Sequence, residues 1–349
     1  MPRSLFMGRK AFSLENSELR VTVLEEGGHL AEIFDKRAQV NPLWVPHWQS
    51  IEPSAYSPAL HPEFGAGSDG KLLAGIMGHN LCLDLFGGPS QAEAAGGITA
   101  HGEGSVNSYE IAEAANGLLM AIRLPLAQLL FTRSLELHGH SVRIRETVEN
   151  LTASDRPIAW TQHVTLAPPF LDPATTEFRA SMTRSMVSET DPGESAYLET
   201  GAHFEWPMAP CLCGGLADLR RMKCEAPASG YTAHLADAER EDAFFIAFSP
   251  RYNLALGYVW KRADFPWLGI WEENCSRQGS PWNSRTVTRG MEFGVSPFPE
   301  SRSEMIERGR LFGERTFRWL PALGKLSAEY WVVTQHCNTV PETLERPQA

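Results

Sequence analysis

The sequence predicts an all-β fold, a large antiparallel β-sandwich with few short helices. Three observations carry that expectation. Short segments of period-two alternation recur along the chain, turn residues separate them, and helical periodicity is scarce. The first such run is Leu19-Arg-Val-Thr-Val-Leu24, broken at Gly27-Gly28. Ser108-Tyr-Glu-Ile-Ala-Glu113 leads into Asn116-Gly117, a strong hairpin signal, and on to Leu118–Leu124. Phe131–Leu137 turns through His138-Gly139-His140 into Ser141–Val148, a second hairpin. Further strands are expected at Ile158–Leu166, Ala243–Phe248, Leu254–Trp260, Trp267–Glu272, Arg285–Phe293 and Glu329–Val333.

Helix signals are few. Ser301-Arg-Ser-Glu304 reads as a capping box that opens two or three turns before Gly313. A second short helix is expected near Pro173–Phe178. The stretch Asp191–Pro227 is rich in Gly, Pro and Ala, and reads as a surface excursion or a sheet edge. Strands of one style lie on both sides of it, so the expectation is one domain over residues 1–349, with its core at about 12–335.

Composition excludes several function classes. The chain has 349 residues, 43% of them hydrophobic, which suffices for a large core. Its formal net charge of −11 and the lack of any Lys/Arg run leave no footprint for nucleic acid. No apolar run approaches a membrane span, and the N-terminal MPRSLFMGRKAF has no apolar stretch of the kind a secretory signal needs. Cys82, Cys211, Cys213, Cys224, Cys275 and Cys337 show no CxxC pair, and read as free thiols of a cytoplasmic protein. The sequence leaves the oligomeric state open.

Three segments could carry chemistry. Gly96-Gly-Ile-Thr-Ala-His101-Gly-Glu103-Gly104 sets a histidine among glycines, on a loop. In Ile158–Leu166, Thr161, His163 and Thr165 share one face while Trp160, Gln162 and Val164 share the other. In Arg285–Phe293, Thr286, Thr288, Gly290 and Glu292 share a face, and Gly290 and Gly294 are expected to leave room for a ligand. A carboxylate among apolar strand residues is rarely left unpaired, which makes Glu292 the most informative of these. Ten tryptophans, many beside Pro or Gly, offer flat apolar faces suited to a sugar ring; Trp271 and Trp282 are among them.

The order of these segments resembles the aldose 1-epimerase, or galactose mutarotase-like, family. The matching pieces are Gly27-Gly28, Asn41-Pro-Leu-Trp44, His101-Gly102, Glu146-Thr-Val-Glu-Asn150, His163, and Gly290-Met-Glu292 before Ser296-Pro-Phe-Pro299. Leu320-Pro-Ala-Leu-Gly324 and Tyr330 close the pattern. The resemblance implies a supersandwich fold and a groove for a small-molecule sugar. It implies Glu292 as general base on the C1 hydroxyl, His163 as general acid on the ring oxygen, and His101 in support. A carboxylate beside His163 would favour its imidazolium form. No metal or organic cofactor is implied. Asp84, Phe86, Glu103, Trp271 and Trp282 are the expected substrate contacts.

The chain departs from the family pattern in places. Gly78-His-Asn-Leu-Cys-Leu-Asp84 replaces an Asn-x-Arg segment, and His163-Val-Thr-Leu-Ala-Pro-Pro replaces the usual run after the second histidine. Glu272 is a rival base. A sugar-binding protein without turnover is the alternative to an isomerase. A metal enzyme built on His61, His79, His101 and His163 is a third reading, which the spacings disfavour.

Overall fold

The computed structural model describes residues 4–190, 193 and 195–347. Two large antiparallel sheets, of twelve and eight strands among the described residues, face one another. The central strands of the larger sheet lie in the order His79–Asp84, Arg156–Leu166, Val287–Gly294, Trp267–Asn274, Ala228–Ala236. The smaller sheet runs from Glu177–Ala180 through Asp242–Ser249, Leu254–Lys261, Lys325–His336, Ser141–Asn150, Leu129–His138 and Gly117–Leu124 to Glu110–Ala114.

Burial explains the difference between the strand sequences. Gly117–Leu124 buries alternate residues, because one face of its sheet meets solvent. From Ile158 onward every residue of Arg156–Leu166 is buried. Its inner face joins the sandwich core, and its outer face is roofed by loops. The core draws Leu81, Trp160, Val164 and Phe293 from one sheet, and Phe131, Ile144, Phe245 and Val332 from the other. Trp260 stacks on Phe293 across it, with ring centroids 4.2 Å apart.

A polar knot locks the register of Arg156–Leu166. Glu146 pairs with Arg133 at 2.8 Å and accepts from Trp160 Nε1 at 2.9 Å, Gln162 Nε2 at 2.7 Å and Tyr330 OH at 2.7 Å. A one-residue slip would break all of these bonds and turn every side chain over. With Trp160 and Gln162 held inward, Thr161, His163 and Thr165 must point outward.

Both expected hairpins form, joined at Ala114/Gly117 and at His138/Ser141. The Ser301 capping box is complete, and its helix, Arg302–Arg308, ends at Gly309. The helix expected near Pro173–Phe178 is not present. A turn occupies 173–175, and the strand Glu177–Ala180 follows, pairing with Asp242–Ser249. Of the Asp191–Pro227 stretch, His203–Glu205 extends the edge of the larger sheet, while Met208–Pro210 and Leu216–Asp218 form a small hairpin. Asp191, Pro192 and Glu194 of that stretch lie outside the described residues, as do Met1–Arg3. No helix among the described residues is long and apolar enough to cross a membrane.

Candidate functional site

The outer face of the larger sheet carries a compact cleft of about 190 Å³. Its lining includes Asp69, Leu72, Leu73, Phe86, His101, His163, Tyr231, Trp271, Arg277, Trp282 and Glu292.

The floor is set by strand register. His163 and Glu292 are direct partners on neighbouring antiparallel strands. Their side chains rise on the same face, and His163 Nε2 lies 3.1 Å from Glu292 Oε1. His163 Nδ1 is 3.0 Å from Thr165 Oγ1, which fixes the ring plane. On its other side Glu292 is register partner to Gly269. The absence of a side chain at Gly269 admits the Tyr231 hydroxyl, which a Cβ there would overlap. That hydroxyl donates to Glu292 Oε2 at 3.3 Å.

His101 arrives from a loop. His101 and Gly102 both have positive φ, 63° and 76°. Any Cβ at Gly102 would collide with the Leu83 carbonyl. This turn rests directly on the strand His79–Asp84, where Leu83 N donates to His101 O at 3.1 Å. It sets the His101 ring 4.9 Å from that of His163, centroid to centroid. His101 Nδ1 is buried without a hydrogen-bond partner.

Burial decides the charge of this group. Desolvation raises the Glu292 carboxyl to about 8, against the stabilising bond from Tyr231. Desolvation lowers His101 to about 4. It also holds His163 well below the ordinary imidazole value, and His101 adds to that effect. Burial thus disfavours the charged form of both partners, against the imidazolium that the sequence leads one to expect at His163. At 3.1 Å the two groups titrate as a coupled pair.

An aromatic wall stands beside the floor. Trp282 stacks parallel to Trp44 at 5.9 Å and meets Trp271 edge-on at 6.1 Å. The Arg277 guanidinium lies 4.5 Å over Trp282 and 5.2 Å over Trp271. The helix Gly70–Gly75 adds Leu72 and Leu73 to the lining, packed in one apolar cluster with Trp44 and Trp282.

Of the residues expected from the sequence, His101, His163, Glu292, Phe86, Trp271 and Trp282 meet here. Asp84 and Glu103 do not line the cleft. Asp84 pairs with Arg156 at 2.7 Å and Arg302 at 3.1 Å, holding the strand end to the capped helix. Glu103 accepts from Ala127 N at 2.7 Å. Glu272 projects from the strand face opposite Trp271, bonded to Tyr197 OH at 2.6 Å and 3.4 Å from Arg289 Nη1. The rival base is thus committed elsewhere.

The space at Gly290 and Gly294 serves protein atoms rather than a ligand. A Cβ at Gly290 would strike the Glu292 carboxylate, and one at Gly294 would strike Thr161. The four histidines of the metal reading do not gather either. His79 faces inward to Gln162 at 3.0 Å, and His61 accepts from Ser57 N at 3.2 Å.

Sequence reasoning missed Asp69, Tyr231 and Arg277. Tyr231 lies on Ala228–Ala236, a strand buried throughout, in which Tyr231, Ala233 and Leu235 alternate with Thr232 and His234. That short alternating run was the available signal for the strand; its approach to Gly269 was not legible in the sequence.

No family model matches the sequence, and no curated protein matches it. Solved structures do match in fold. The Slr1438 protein of Synechocystis superposes with a TM-score of 0.62 at 14% identity, covering 96% of this chain and 100% of that one. A Klebsiella pneumoniae protein provisionally named an aldose 1-epimerase gives 0.66 at 12% identity, over 95% and 80%. A galactose mutarotase-like protein of Clostridium acetobutylicum gives 0.61 at 13% identity, over 96% and 98%. The chain therefore has the galactose mutarotase-like fold; at these identities the likeness concerns fold alone.

Proposed function

We propose that this galactose mutarotase-like chain is an isomerase of the aldose 1-epimerase type, which binds a monosaccharide in the cleft and interconverts its anomers by ring opening. The observation that carries the reading is the 3.1 Å contact of His163 Nε2 with Glu292 Oε1 on the floor of a tryptophan-walled cleft.

The chemistry needs one proton taken and one given. As the C1–O5 bond breaks, the C1 hydroxyl loses its proton and O5 gains one, leaving an open-chain aldehyde. Rotation about C1–C2 and the reverse transfer close the ring on the other face. A pair holding a single proton suits this exchange, because its net protonation is the same before and after. Transfer across the short contact to His163 gives an acid facing O5 and leaves Glu292 as base at O1. Tyr231 donates to the carboxylate as it becomes anionic. The unpartnered Nδ1 of His101 is free to meet a sugar hydroxyl. Trp271 and Trp282 offer their faces to the apolar side of the ring.

A cytoplasmic setting belongs to the same proposal, supported by six cysteines that form no disulfide. The test is anomer exchange, followed by polarimetry or NMR, with galactose, glucose, and uronic, 6-deoxy and phosphorylated aldoses. Accelerated exchange that disappears in Glu292→Gln supports the reading. Sugar-dependent thermal stabilisation without exchange would replace it with the non-catalytic sugar-binding alternative.

A further inference from the structure

We infer that Asp35, His140 and His336 form a second site, for a divalent zinc-like cation, that ties the two sheets of the sandwich together away from the cleft. Asp35 ends the strand Leu30–Asp35 of the larger sheet. His140 sits in the two-residue turn between Leu129–His138 and Ser141–Asn150, and His336 ends Lys325–His336, all in the smaller sheet. The positions are 105 and 196 residues apart (140 − 35 and 336 − 140), so no sequence spacing announces them.

The geometry fits one ion. One ligand atom from each residue lies within 4.8 Å of the other two, and His336 Nε2 is 3.1 Å from Asp35 Oδ2. Bonds of about 2.0–2.2 Å in a tetrahedron place donors about 3.3–3.6 Å apart, a small adjustment from these positions. Glu18 Oε2 lies 3.3 Å from His140 Nε2 on a half-exposed side chain, within reach of the fourth position.

The surroundings already hold these ligands in place. Asp35 is fully buried. Its Oδ1 accepts from Ala38 N at 2.7 Å, which leaves Oδ2 directed at His336. The turn carrying His140 is pinned by Asn16 Nδ2, which donates to Gly139 O at 2.9 Å. Such fixed outer contacts orient metal ligands.

The charge balance points the same way. Among the described residues no Lys or Arg pairs with Asp35; its ion-pair partner is His336. A buried carboxylate is favoured by a compensating cation beside it. A divalent ion would supply the charge. Two imidazoles with one or two carboxylates favour Zn²⁺, or Co²⁺ and Ni²⁺ in its place, over Ca²⁺ or Mg²⁺. The site shares no residue with the cleft, so its role is structural.

The test uses the full-length chain stripped with EDTA and titrated with Zn²⁺ alone by calorimetry and thermal unfolding. The expected result is one Zn²⁺ per chain and a rise in Tm of about 3–5 °C at saturation. Co²⁺ should give the intense visible absorption of a tetrahedral site. His140→Gln and His336→Gln should each weaken binding at least tenfold and remove the Tm rise. His140 is exposed, so its variant folds as wild type does. Absence of stoichiometric binding, or binding unchanged in both variants, would overturn the site.

Discussion

The hydroxyl of Tyr231 occupies the space that a Cβ on Gly269 would need, and from there it reaches Glu292. A missing methyl on one strand thus decides the hydrogen bonding of a carboxyl on the next. Gly269→Ala should displace Tyr231 and cost roughly 1–3 kcal/mol of stability through overpacking. Anomer exchange should fall at least tenfold, and Tyr231→Phe, which leaves the packing intact, should fall by a similar factor. A fully active Tyr231→Phe would reduce the role of this contact to packing.

Glu292→Gln should lower the exchange rate by about 10²–10⁴, the range for a positioned proton-transfer group. Its stability has a sign that can be worked out. The folded carboxyl titrates at about 8, against 4.5 for the ordinary value. Between those limits the unfolded chain has lost the proton that the folded chain keeps, so wild-type stability declines as pH rises from 4.5 to 8. Glutamine removes that decline. Thermal melts from pH 5 to 9 should show the variant gaining on wild type; parallel curves would contradict a buried, neutral Glu292.

Acid should act in the opposite direction. His29, His79 and His234 are lowered to about 3 and His101 to about 4, all chiefly by desolvation, and His163 is lowered as well. Their stabilising contribution is complete above 6.5 and is lost as pH falls from there toward the folded values. A steep drop in Tm below about pH 6 is expected. A flat Tm down to pH 4 would show that these rings are protonated in the folded chain.

His101→Ala should weaken sugar binding as well as turnover, since its ring lines the cleft with one nitrogen unpartnered. A loss of about tenfold in affinity, near 1.4 kcal/mol, corresponds to one hydrogen bond to a neutral partner. Titration of the variant with an exchanging aldose would measure it. Unchanged affinity would place the sugar elsewhere in the cleft.

Aromatic truncation gives a further check. Trp282 is held between Trp44, Trp271 and Arg277, so Trp282→Ala removes wall surface and releases the guanidinium together. KM for the exchanging sugar should rise by about tenfold with a smaller change in kcat. A kcat loss with constant KM would instead place Trp282 against the reacting atoms.

Local sequence determined the elements. Period-two alternation gave the strands at Ser141–Asn150, Arg156–Leu166 and Leu254–Lys261, Asn116-Gly117 gave a hairpin, and Ser301 with Glu304 gave a capped helix. It also placed His163 on a polar face and marked Glu292 as an unusual strand carboxyl. Each of these signals lies within a few residues of chain. Only the tertiary structure decided what depends on register and distant partners. It took Asp84 into ion pairs with Arg156 and Arg302, turned Glu272 toward Tyr197, brought Tyr231 through the gap at Gly269, and gathered Asp35, His140 and His336. It also buried His163, which lowers its basicity below that of an ordinary imidazole. The cause is physical: spacing along a strand fixes which face a side chain takes, whereas its protonation and its partners follow from desolvation and from neighbours that only folding supplies.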